Sequence, residues 1–550
     1  MQAPVSALSP FRQPVFRNVW LANLLSNFGG LIQSVGAAWL MLEMTQQADM
    51  VALVQTSVAL PVVMFSLLGG AIADSLDRRR IMLAAQTFML LVSVTLAVIA
   101  WQNMLTPWLL LAFTFLIGCG GSFNAPAWQA SVQDMVPRAQ LPAAVALNSM
   151  GFNLARSTGP AIGGAIVAAA GAATAFAVNT FSYLGLIVVL WRWRPQQAPR
   201  LLPRERLASA MADGLRYVML SPSIRTVLVR SVVFGLGAGA VLALLPLIAA
   251  RLVNGGALVY GLLLGAFGFG AVLAALGSTQ LRQRFSTETI VRGASTGAAL
   301  ALALAASSSG ITLAALAMLG AGAGWVLALS TFNVTVQLSA PRWVVARVLS
   351  LYQMAAFGGL ASGSWLWGWV AQARGVDSAL LAAALALLAS AALGWRLPLE
   401  PTTERDLDPL RQYREPETAV PVEPRTGPVI ITVEWIIDEK DIVAFLNAMA
   451  ERRRIRRRDG AHKWALLRDL HAPTVWIERY KTATWLDYLR HNSRITRDDA
   501  VVPERLRALH RGDGPPKVRR MIERSTSRLP WAANDPSEVH EHSSDPTRDI

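Results

Sequence analysis

The stretch GGAIADSLDRRR, residues 69–80, separates two long apolar runs at 50–73 and 81–101. A bilayer core about 30 Å thick needs about 20 apolar residues in each helix that crosses it, and both runs are long enough. Gly69 and Gly70 allow helices to pack closely, and the three arginines that follow are residues that anchor a chain at lipid headgroups. The stretch therefore predicts a tight polar connection between two membrane-spanning helices.

The same alternation of an apolar run and a short polar break continues through the first 400 residues. Because only helices and closed barrels satisfy the backbone hydrogen bonds in lipid, this pattern predicts an all-α polytopic membrane protein with twelve transmembrane helices. The predicted spans are 18–42, 50–73, 81–101, 105–128, 141–168, 172–192, 222–250, 257–278, 289–308, 311–335, 345–371 and 377–395.

The composition changes abruptly near residue 400. The first 400 residues hold 23 Arg, no Lys and 10 acidic residues, for a net charge of +13, whereas the last 150 hold 27 basic and 25 acidic residues. The whole chain is 53% hydrophobic, which excludes a disordered protein. Its basic excess lies in the apolar part, so we expect no nucleic-acid partner. Its single cysteine, Cys119, cannot form an intramolecular disulfide.

The arginines near the span ends predict the orientation of the chain. Even-numbered connections and the two ends carry nearly all of them, while odd-numbered connections carry only Arg251 and Arg374. Since positively charged residues are retained on the cytoplasmic side, we expect an inner-membrane protein with both termini in the cytoplasm.

The apolar domain, predicted at 1–397, divides into two halves of six spans, at about 10–193 and 222–397. The longest polar interruption lies between them, and an offset of 204 positions superposes the halves. Two parallel six-helix repeats are typical of secondary transporters that bind their substrate between the repeats. The offset superposes Arg78 on Arg282, Arg80 on Arg284, Gly118 on Gly322, Gly120 on Gly324, Gln133 on Gln337, Pro137 on Pro341, Gly159 on Gly363 and Gly164 on Gly368.

Three strings of residues resemble a known family. They are Gly70-Ala-Ile-Ala-Asp74-Ser-Leu-Asp77-Arg78-Arg79-Arg80, Asn124-Ala-Pro126-Ala-Trp128-Gln129, and Asn153-Leu-Ala-Arg156-Ser-Thr-Gly159-Pro160-Ala-Ile-Gly163-Gly164. The first is similar to the signature loop of the major facilitator superfamily, with Asp77 in place of its usual second glycine. The other two resemble the enterobactin-exporter-like branch, the transmembrane secretion effectors, over about residues 10–400.

The resemblance implies a secondary active transporter that exports a small amphiphilic molecule, such as a siderophore, secondary metabolite or drug, by alternating access. Two alternatives stay open, an importer and a bifunctional transporter whose C-terminal domain senses or oxidatively modifies the substrate. The chain has no GxxxxGK[ST] phosphate loop, so it carries no ATP-hydrolysing motor. Proton antiport is expected from the family, although no acidic residue lies near the middle of a predicted span. We expect no cofactor and no metal.

The signature loop is a candidate conformational latch that forms in one state and breaks in another. Alternatively, its arginines only determine topology. The latch residues are Gly70, Asp74, Asp77, Arg78, Arg79, Arg80 and, at the end of the fourth span, Asp134.

A second candidate site lies in the fifth span, where Gly159, Pro160, Gly163 and Gly164 form the motif that the family associates with exporters. The motif can also simply kink and pack a helix. The nearby Arg156 is costly in hydrocarbon, so its partner is a carbonyl oxygen, an acid such as Asp134, or an anionic substrate.

A third candidate site is the lining of a substrate cavity. Polar residues of the first span recur on one helical face, which suits either a cavity or interhelical hydrogen bonds. The candidates are Asn23, Asn27, Ser34, Asn148, Asn153 and Gln353, with Gln33 as a further polar contact and Phe113, Phe115, Phe234 and Trp325 as aromatic surface.

The chain after residue 397 predicts a linker at 398–428, a folded domain at 429–524 and a disordered tail at 525–550. The order β-α-β-β-α-β predicts a small cytoplasmic α+β domain of ferredoxin-like fold. It resembles antibiotic-biosynthesis-monooxygenase-like domains, which implies a homodimer through this domain. We expect no catalytic residues in this domain. A weaker alternative is that the domain is an enzyme with a pocket for an aromatic substrate. The candidate lining of this pocket is Trp435, His462, Trp464, Trp476, His491 and Asn492.

Overall fold

The computed structural model describes residues 8–137, 140–194, 207–341, 343–399 and 416–523. The side chains of residues 74, 75, 133, 142 and 207–210 are outside this description. Much of the predicted linker and the whole of the predicted tail at 525–550 also lie outside the described residues.

Helices make up most of the described residues before position 400, as the apolar runs predict. They are α1 (Pro14–Thr45), α2 (Ala48–Ser75), α3 (Arg78–Trp101), α4 (Pro107–Met135), α5 (Leu141–Arg192), α6 (Leu207–Met219), α7 (Pro222–Leu247), α8 (Ala257–Arg284), α9 (Thr287–Ala306), α10 (Ile311–Ser339), α11 (Val345–Arg374) and α12 (Val376–Leu393). A π-helical turn, Ile248–Leu252, extends α7.

Several of these helices have a short polar side chain as N-cap. Its oxygen accepts hydrogen bonds from the first backbone N–H groups, which have no partner within the helix. Asp77 accepts from the backbone of Arg79 and Arg80 at the start of α3. Thr106 and Ser286 do the same for α4 and α9. The residue that replaces the second glycine of the family's signature loop is therefore a helix cap.

Helix α5 contains the predicted fifth and sixth spans in one 52-residue element. Its interior is interrupted at Gly171, which has φ +78° and ψ +169°. An L side chain rarely adopts this conformation, whereas glycine does so at little cost. The interruption lies between the predicted spans 141–168 and 172–192, so the sequence located it correctly.

Within the described residues, nine helical stretches are long and apolar enough to cross a membrane. One of them, Ala143–Arg192, covers two predicted spans. Two predicted spans, 18–42 and 345–371, are not among the nine stretches, and they correspond to α1 and α11. These helices are 32 and 30 residues long, which is enough to cross a membrane, but their polar residues and glycines lower their hydropathy. Their polar character follows from residues such as Asn23, Asn27 and Gln353, which the sequence selected as cavity candidates.

The chain forms two compact units. The first comprises Met1–Met211, Ser223–Val336 and Leu349–Thr402. In it, α1 and α3 pack on α5, α2 packs on α4, α5 packs on α8, and α9 packs on α12. A buried core of Phe16, Val19, Met82, Trp128 and Leu190, with their neighbours, joins the first five helices.

The second unit comprises Ala212–Pro222, Gln337–Val348 and Thr403–Ile550. It contains a four-stranded antiparallel sheet and three α-helices. These elements are β1 (Val429–Ile436), α13 (Ile442–Arg458), β2 (His462–Arg468), β3 (Val475–Thr482), α14 (Trp485–Ser493), α15 (Val501–Leu509) and β4 (Lys517–Ile522).

The strand order in the sheet is β2-β3-β1-β4, with Trp435 of β1 opposite Trp476 of β3. Residues of β1 alternate between buried and half-buried positions, because successive side chains point to opposite faces of a sheet. The buried face packs against Phe445 and Met449 of α13 and Leu506 of α15. The sequence predicted the order β-α-β-β-α-β, whereas two helices, α14 and α15, lie between β3 and β4. It did not predict that Ala212–Pro222 and Gln337–Val348 belong to the same unit.

Candidate functional site

The residues of the predicted latch lie at the adjoining ends of α2, α3, α4 and α5. Arg78 donates from Nη1 to Asp134 Oδ2 at 3.0 Å and to the Ala130 carbonyl at 2.8 Å. Arg79 donates to the Leu190 and Trp191 carbonyls at 2.8 and 2.7 Å. A cation near a helix C-terminus is favourable, and these carbonyls end the last turn of α5. The loop therefore joins three helices of the first half.

Other members of the loop contribute differently. Arg80 is 85% exposed and lies 3.8 Å from Asp77, so this ion pair contributes little. A Cβ on Gly70 would lie 3.1 Å from Ser350 Oγ of α11, which puts the glycine at a close approach between the two halves. The side chain of Asp74 is outside the described residues.

The second half has a weaker counterpart of this loop. Arg282, which the 204-residue offset relates to Arg78, donates to Ser330 Oγ at 3.0 Å. The position that corresponds to Asp134 is Leu338, so no carboxylate is available there. The ion pair is specific to the first half.

The glycines of the exporter motif lie where α5 contacts two other helices. Cβ atoms on Gly159 and Gly163 would lie 3.2 Å from Leu31 Cβ and 3.0 Å from Ile32 Cα, both on α1. A Cβ on Gly164 would lie 2.7 Å from the carbonyl oxygen of Ala257 on α8. Across this crossing, a Cβ on Gly261 of α8 would lie 2.6 Å from the Pro160 carbonyl oxygen. Only residues without a Cβ permit two backbones to approach so closely.

Positions related by the 204-residue offset make equivalent contacts. Gly164 of α5 packs on α8, and Gly368 of α11 packs on α2, where its Cβ would lie 3.2 Å from Asp49 Cα. Gly159 packs on α1, and Gly363 packs on α7 at Leu236. The two halves therefore meet through a pair of corresponding crossings, α5 with α8 and α11 with α2.

Arg156 is half-buried and lies one turn before the exporter motif. Its guanidinium carbon is 5.5 Å from the centre of the Phe267 ring on α8, a cation–π contact. Of the three partners that the sequence left open for Arg156, Asp134 instead pairs with Arg78, and no hydrogen bond or ion pair joins Arg156 to any described residue. Carbonyl partners are likewise absent among the described residues.

Two of the four aromatic residues predicted to line the cavity pack on each other. Phe234 and Trp325 are buried side by side, with ring centres 6.4 Å apart, and Phe267 and Phe332 continue the group. Phe267, which links this group to Arg156, was not among the sequence candidates. An aromatic residue within the glycine-rich run of α8, two residues before a second phenylalanine, was the available signal.

Two polar candidates hold helices together instead of facing a cavity. Gln33 accepts hydrogen bonds from Ser93 of α3 and Asn179 of α5, and Asn179 also donates to Tyr183 at 3.0 Å. Asn148 accepts from Trp128 Nε1 at 3.0 Å. Ser34 donates to the Leu31 carbonyl of its own helix. Gln33 and Asn148 therefore make hydrogen bonds between helices, which was the alternative to lining a cavity.

The remaining cavity candidates keep their polar groups available. Within the part of the chain that the structure describes, no hydrogen bond is made by the side chains of Asn23, Asn27, Asn153 and Gln353. Asn23 is 7% exposed, and the others are half-buried.

Sequence reasoning missed a buried ion pair between α7 and α9. Arg230 of α7 is fully buried and pairs with Glu288, which lies in the first turn of α9. Glu288 also accepts from the Leu399 backbone at 2.9 Å, and Arg230 donates to the Leu397 carbonyl at 3.2 Å. The pair therefore holds the segment that follows α12, at Leu397 and Leu399, against α7 and α9.

The α+β part of the second unit contains a partly open cavity of about 430 Å³ between the sheet and the helices. Of the predicted lining residues, Trp435, His491 and Asn492 line it, while His462, Trp464 and Trp476 do not. Trp464 instead donates to Glu478 at 3.1 Å. Among the described residues no group of histidine, cysteine and acidic side chains could hold a metal ion.

Charges dominate one side of this cavity. Arg452 and Arg456 lie 2.8 and 3.6 Å from the buried carboxylate of Glu478. Burial raises the pKa of Glu478, but the two arginines outweigh it and hold the pKa below its usual value. Burial and the adjacent Arg456 lower the pKa of His491 well below 6.5, so its ring is neutral at pH 7.

These features define a polytopic α-helical membrane transporter with a small α+β unit. The chain belongs to the family of the major facilitator superfamily described as transmembrane secretion effectors, whose sequence profile matches residues 5–528. The match extends through the C-terminal sheet.

Curated relatives are transporters of low identity. The chain is 25% identical over 382 residues to the multidrug efflux pump Tap of Mycolicibacterium fortuitum, covering 67% of this chain and 92% of the relative. It is 25% identical to the enterobactin exporter EntS of Citrobacter koseri, over 64% of this chain and 85% of that protein. It is 23% identical to the staphyloferrin A transporter of Staphylococcus aureus over 46% of this chain, and it spans only 64% of that relative's length.

Solved structures show the same fold at lower identity. The crystal structure of the POT family transporter PepTSo aligns with a TM-score of 0.58 and 13% identity, over 70% of this chain and 97% of that one. The likeness supports the transporter fold. The recognition of a major facilitator transporter from the sequence is confirmed, as are its multi-pass helices and its efflux relatives.

Proposed function

We propose that the protein exports small amphiphilic molecules, of the siderophore, secondary-metabolite or drug class, by alternating access between two six-helix repeats. The observation that carries this proposal is the pair of corresponding crossings, α5 with α8 and α11 with α2, at which glycines bring the halves into contact. Contacts of this kind can separate on one side of a membrane while they close on the other. The names of the relatives, two siderophore transporters and a multidrug pump, support the substrate class.

The proposed transporter has twelve membrane-spanning helices. Nine stretches meet the requirements of length and apolarity; the break at Gly171 divides one of them, and α1 and α11 supply two more. The arginine distribution supports two cytoplasmic termini in the inner membrane.

The latch is proposed to act at the cytoplasmic side. The Arg78–Asp134 pair and the Arg79 contacts hold α3, α4 and α5 together, and Gly70 allows α2 to approach α11. Since neither partner of the ion pair is fully buried, with 21% and 35% exposure, the pair can open without a large desolvation change.

Arg156 is proposed to contact the substrate. A charge inside the membrane requires compensation, and its described contact is only the face of the Phe267 ring. An anionic group of the substrate would supply the missing partner. Asn23, Asn27, Asn153 and Gln353 are proposed as polar contacts in the same cavity.

The C-terminal α+β unit is proposed to be a ferredoxin-like domain without catalytic function. Its element order and its sheet order, β2-β3-β1-β4, support that fold. The cavity, with its arginines and aromatic rings, favours the alternative that this domain also senses a small anionic molecule. A homodimer through the sheet stays a prediction from the resemblance.

Export is tested in cells that lack their own efflux pumps, with ethidium and enterobactin as probes. We expect cells that produce the protein to retain less of at least one probe and to release more of it into the medium. The Arg156→Gln variant, produced at equal membrane amounts, should lose transport of enterobactin, the anionic probe, more than transport of ethidium. Equal retention of both probes with and without the protein would refute the export proposal.

A further inference from the structure

The end of α13 and the start of α15 form a compact cluster of buried charges. Arg458 donates from Nε and Nη2 to both carboxylate oxygens of Asp459, at 2.8 and 3.2 Å, and from Nη2 to Asp499 Oδ2 at 2.7 Å. Arg494 donates to the Asp459 carbonyl at 3.1 Å. The side chains of Arg458, Asp459 and Asp499 are each less than a tenth exposed.

Two distant segments of the chain pack on this cluster within the same unit. Arg494 lies 2.9 Å from Asp213, and its guanidinium carbon is 4.0 Å from the centre of the Trp343 ring. Arg458 lies 5.2 Å from the Tyr217 ring, and Tyr217 meets Trp343 edge to face at 5.7 Å. Arg454 adds a hydrogen bond to the Leu220 carbonyl. These contacts explain why Ala212–Pro222 and Gln337–Val348 form one unit with the C-terminal sheet.

The cluster contains three cations and three anions, since Asp213 also pairs with Arg216. Burying each charge is expensive, and the mutual attraction compensates for this cost only while every member keeps its partner. Removing or reversing one member leaves an uncompensated charge. The docking of the two segments therefore depends on specific partners and not on general apolar contact.

The two segments adjoin membrane-spanning helices of the second repeat. Ala212–Pro222 leads directly into α7, and Gln337–Val348 contains the end of α10, the connection and the start of α11. Both are even-numbered connections, which the arginine pattern predicts to be cytoplasmic. The C-terminal domain therefore contacts α6, which leads into α7, and the connection between α10 and α11.

We propose that the C-terminal domain docks on α6 and on the α10–α11 connection of its own chain, and that this docking keeps the adjoining helices of the second repeat together during transport. The docking surface consists of Arg458, Asp459, Arg494 and Asp499, and its partner consists of Asp213, Tyr217 and Trp343. Alternating access moves each repeat as one body, which requires that α7, α10 and α11 keep their relative positions. The effect on transport rests on the export function proposed above, whereas the docking does not.

Docking is tested by electron–electron distance measurement in the full-length protein. Cys119→Ala removes the native cysteine, and spin labels are attached at Ala212→Cys and Leu470→Cys, two exposed positions of the second unit. We expect one narrow distance distribution. Asp213→Arg, which faces Arg494 with a like charge, should broaden it, and the exchange Asp213→Arg/Arg494→Asp should narrow it again.

The effect on transport is tested by ethidium efflux from cells that produce the same variants without labels, at equal membrane amounts. Asp213→Arg should lower the initial rate at least fivefold, the charge exchange should restore at least half of it, and Arg505→Asp, which reverses an exposed arginine of the same domain, should match the parent. A narrow distribution in Asp213→Arg would overturn the docking surface, and a broad distribution with unchanged efflux would overturn the effect on transport. If the parent exports no ethidium but gives the narrow distribution, the function proposal fails for this probe while the docking stands.

Discussion

Replacing Gly164 by alanine tests the crossing between the two halves. The added methyl carbon would lie 2.7 Å from the Ala257 carbonyl oxygen and 2.8 Å from Gly261 Cα, both backbone atoms of α8. Backbone cannot rotate away as a side chain does, so α5 and α8 must separate. Overpacking of this kind costs about 1–3 kcal/mol, while alanine gains about 1 kcal/mol over glycine in helix propensity.

Gly185→Ala in the same helix is the matched control, because nothing lies within 4 Å of its added Cβ. It gains the propensity and has no clash, so the two variants should differ by about 1–3 kcal/mol, the overpacking cost alone. If the crossing closes in only one of two transport states, such a difference shifts their ratio by about 5- to 150-fold.

The assay combines the thermal unfolding midpoint of the purified protein with its ethidium efflux rate. We expect Gly164→Ala to unfold at a lower temperature than Gly185→Ala and to export ethidium at least fivefold more slowly. Equal midpoints and equal rates for the two variants would show that α5 and α8 do not approach as closely as described, and the reasoning would be wrong.

Three further predictions follow from single contacts. Arg78→Ala should reduce efflux while lowering stability by at most about 1 kcal/mol, because the ion pair with Asp134 is partly exposed, and denaturation with parallel efflux assays measures both. Gln33→Leu should destabilise the purified protein by about 1–3 kcal/mol, since Ser93 and Asn179 lose a buried acceptor, and its unfolding midpoint should fall accordingly. Because the folded pKa of His491 is depressed, its contribution to the stability of the C-terminal domain is complete above pH 6.5 and is lost as the pH falls below it. Hydrogen exchange of peptides from this domain between pH 7.5 and 6 should show that loss, and His491→Gln should remove it.

The predictable part of the fold depended on repeated local patterns. Apolar runs, arginine-rich breaks and the glycine at position 171 determine where helices begin, end or bend, and each is visible in a few adjacent residues. The 204-residue offset was visible because the same contacts recur in both halves, as Gly164 and Gly368 illustrate.

Partners across the fold were harder to predict. Arg156 had three candidate partners in the sequence, and only the packing of α5 on α8 selects the Phe267 ring. Gln33 and Asn27 are similar polar residues of one helix, yet Gln33 faces Ser93 and Asn179, whereas Asn27 bonds to no described side chain. The attachment of Asp213 and Trp343 to the C-terminal domain joins residues more than 100 positions apart, for which no local pattern exists.

Locking the α5–α8 crossing tests alternating access most directly. A Cβ on Gly265 would lie 3.7 Å from Ala161 Cβ, within the range of a disulfide. In a Cys119→Ala background, the variant Ala161→Cys/Gly265→Cys should export ethidium when reduced, lose export on oxidation and regain it with dithiothreitol. Unchanged efflux from protein shown by mass spectrometry to be fully cross-linked would contradict the proposed mechanism.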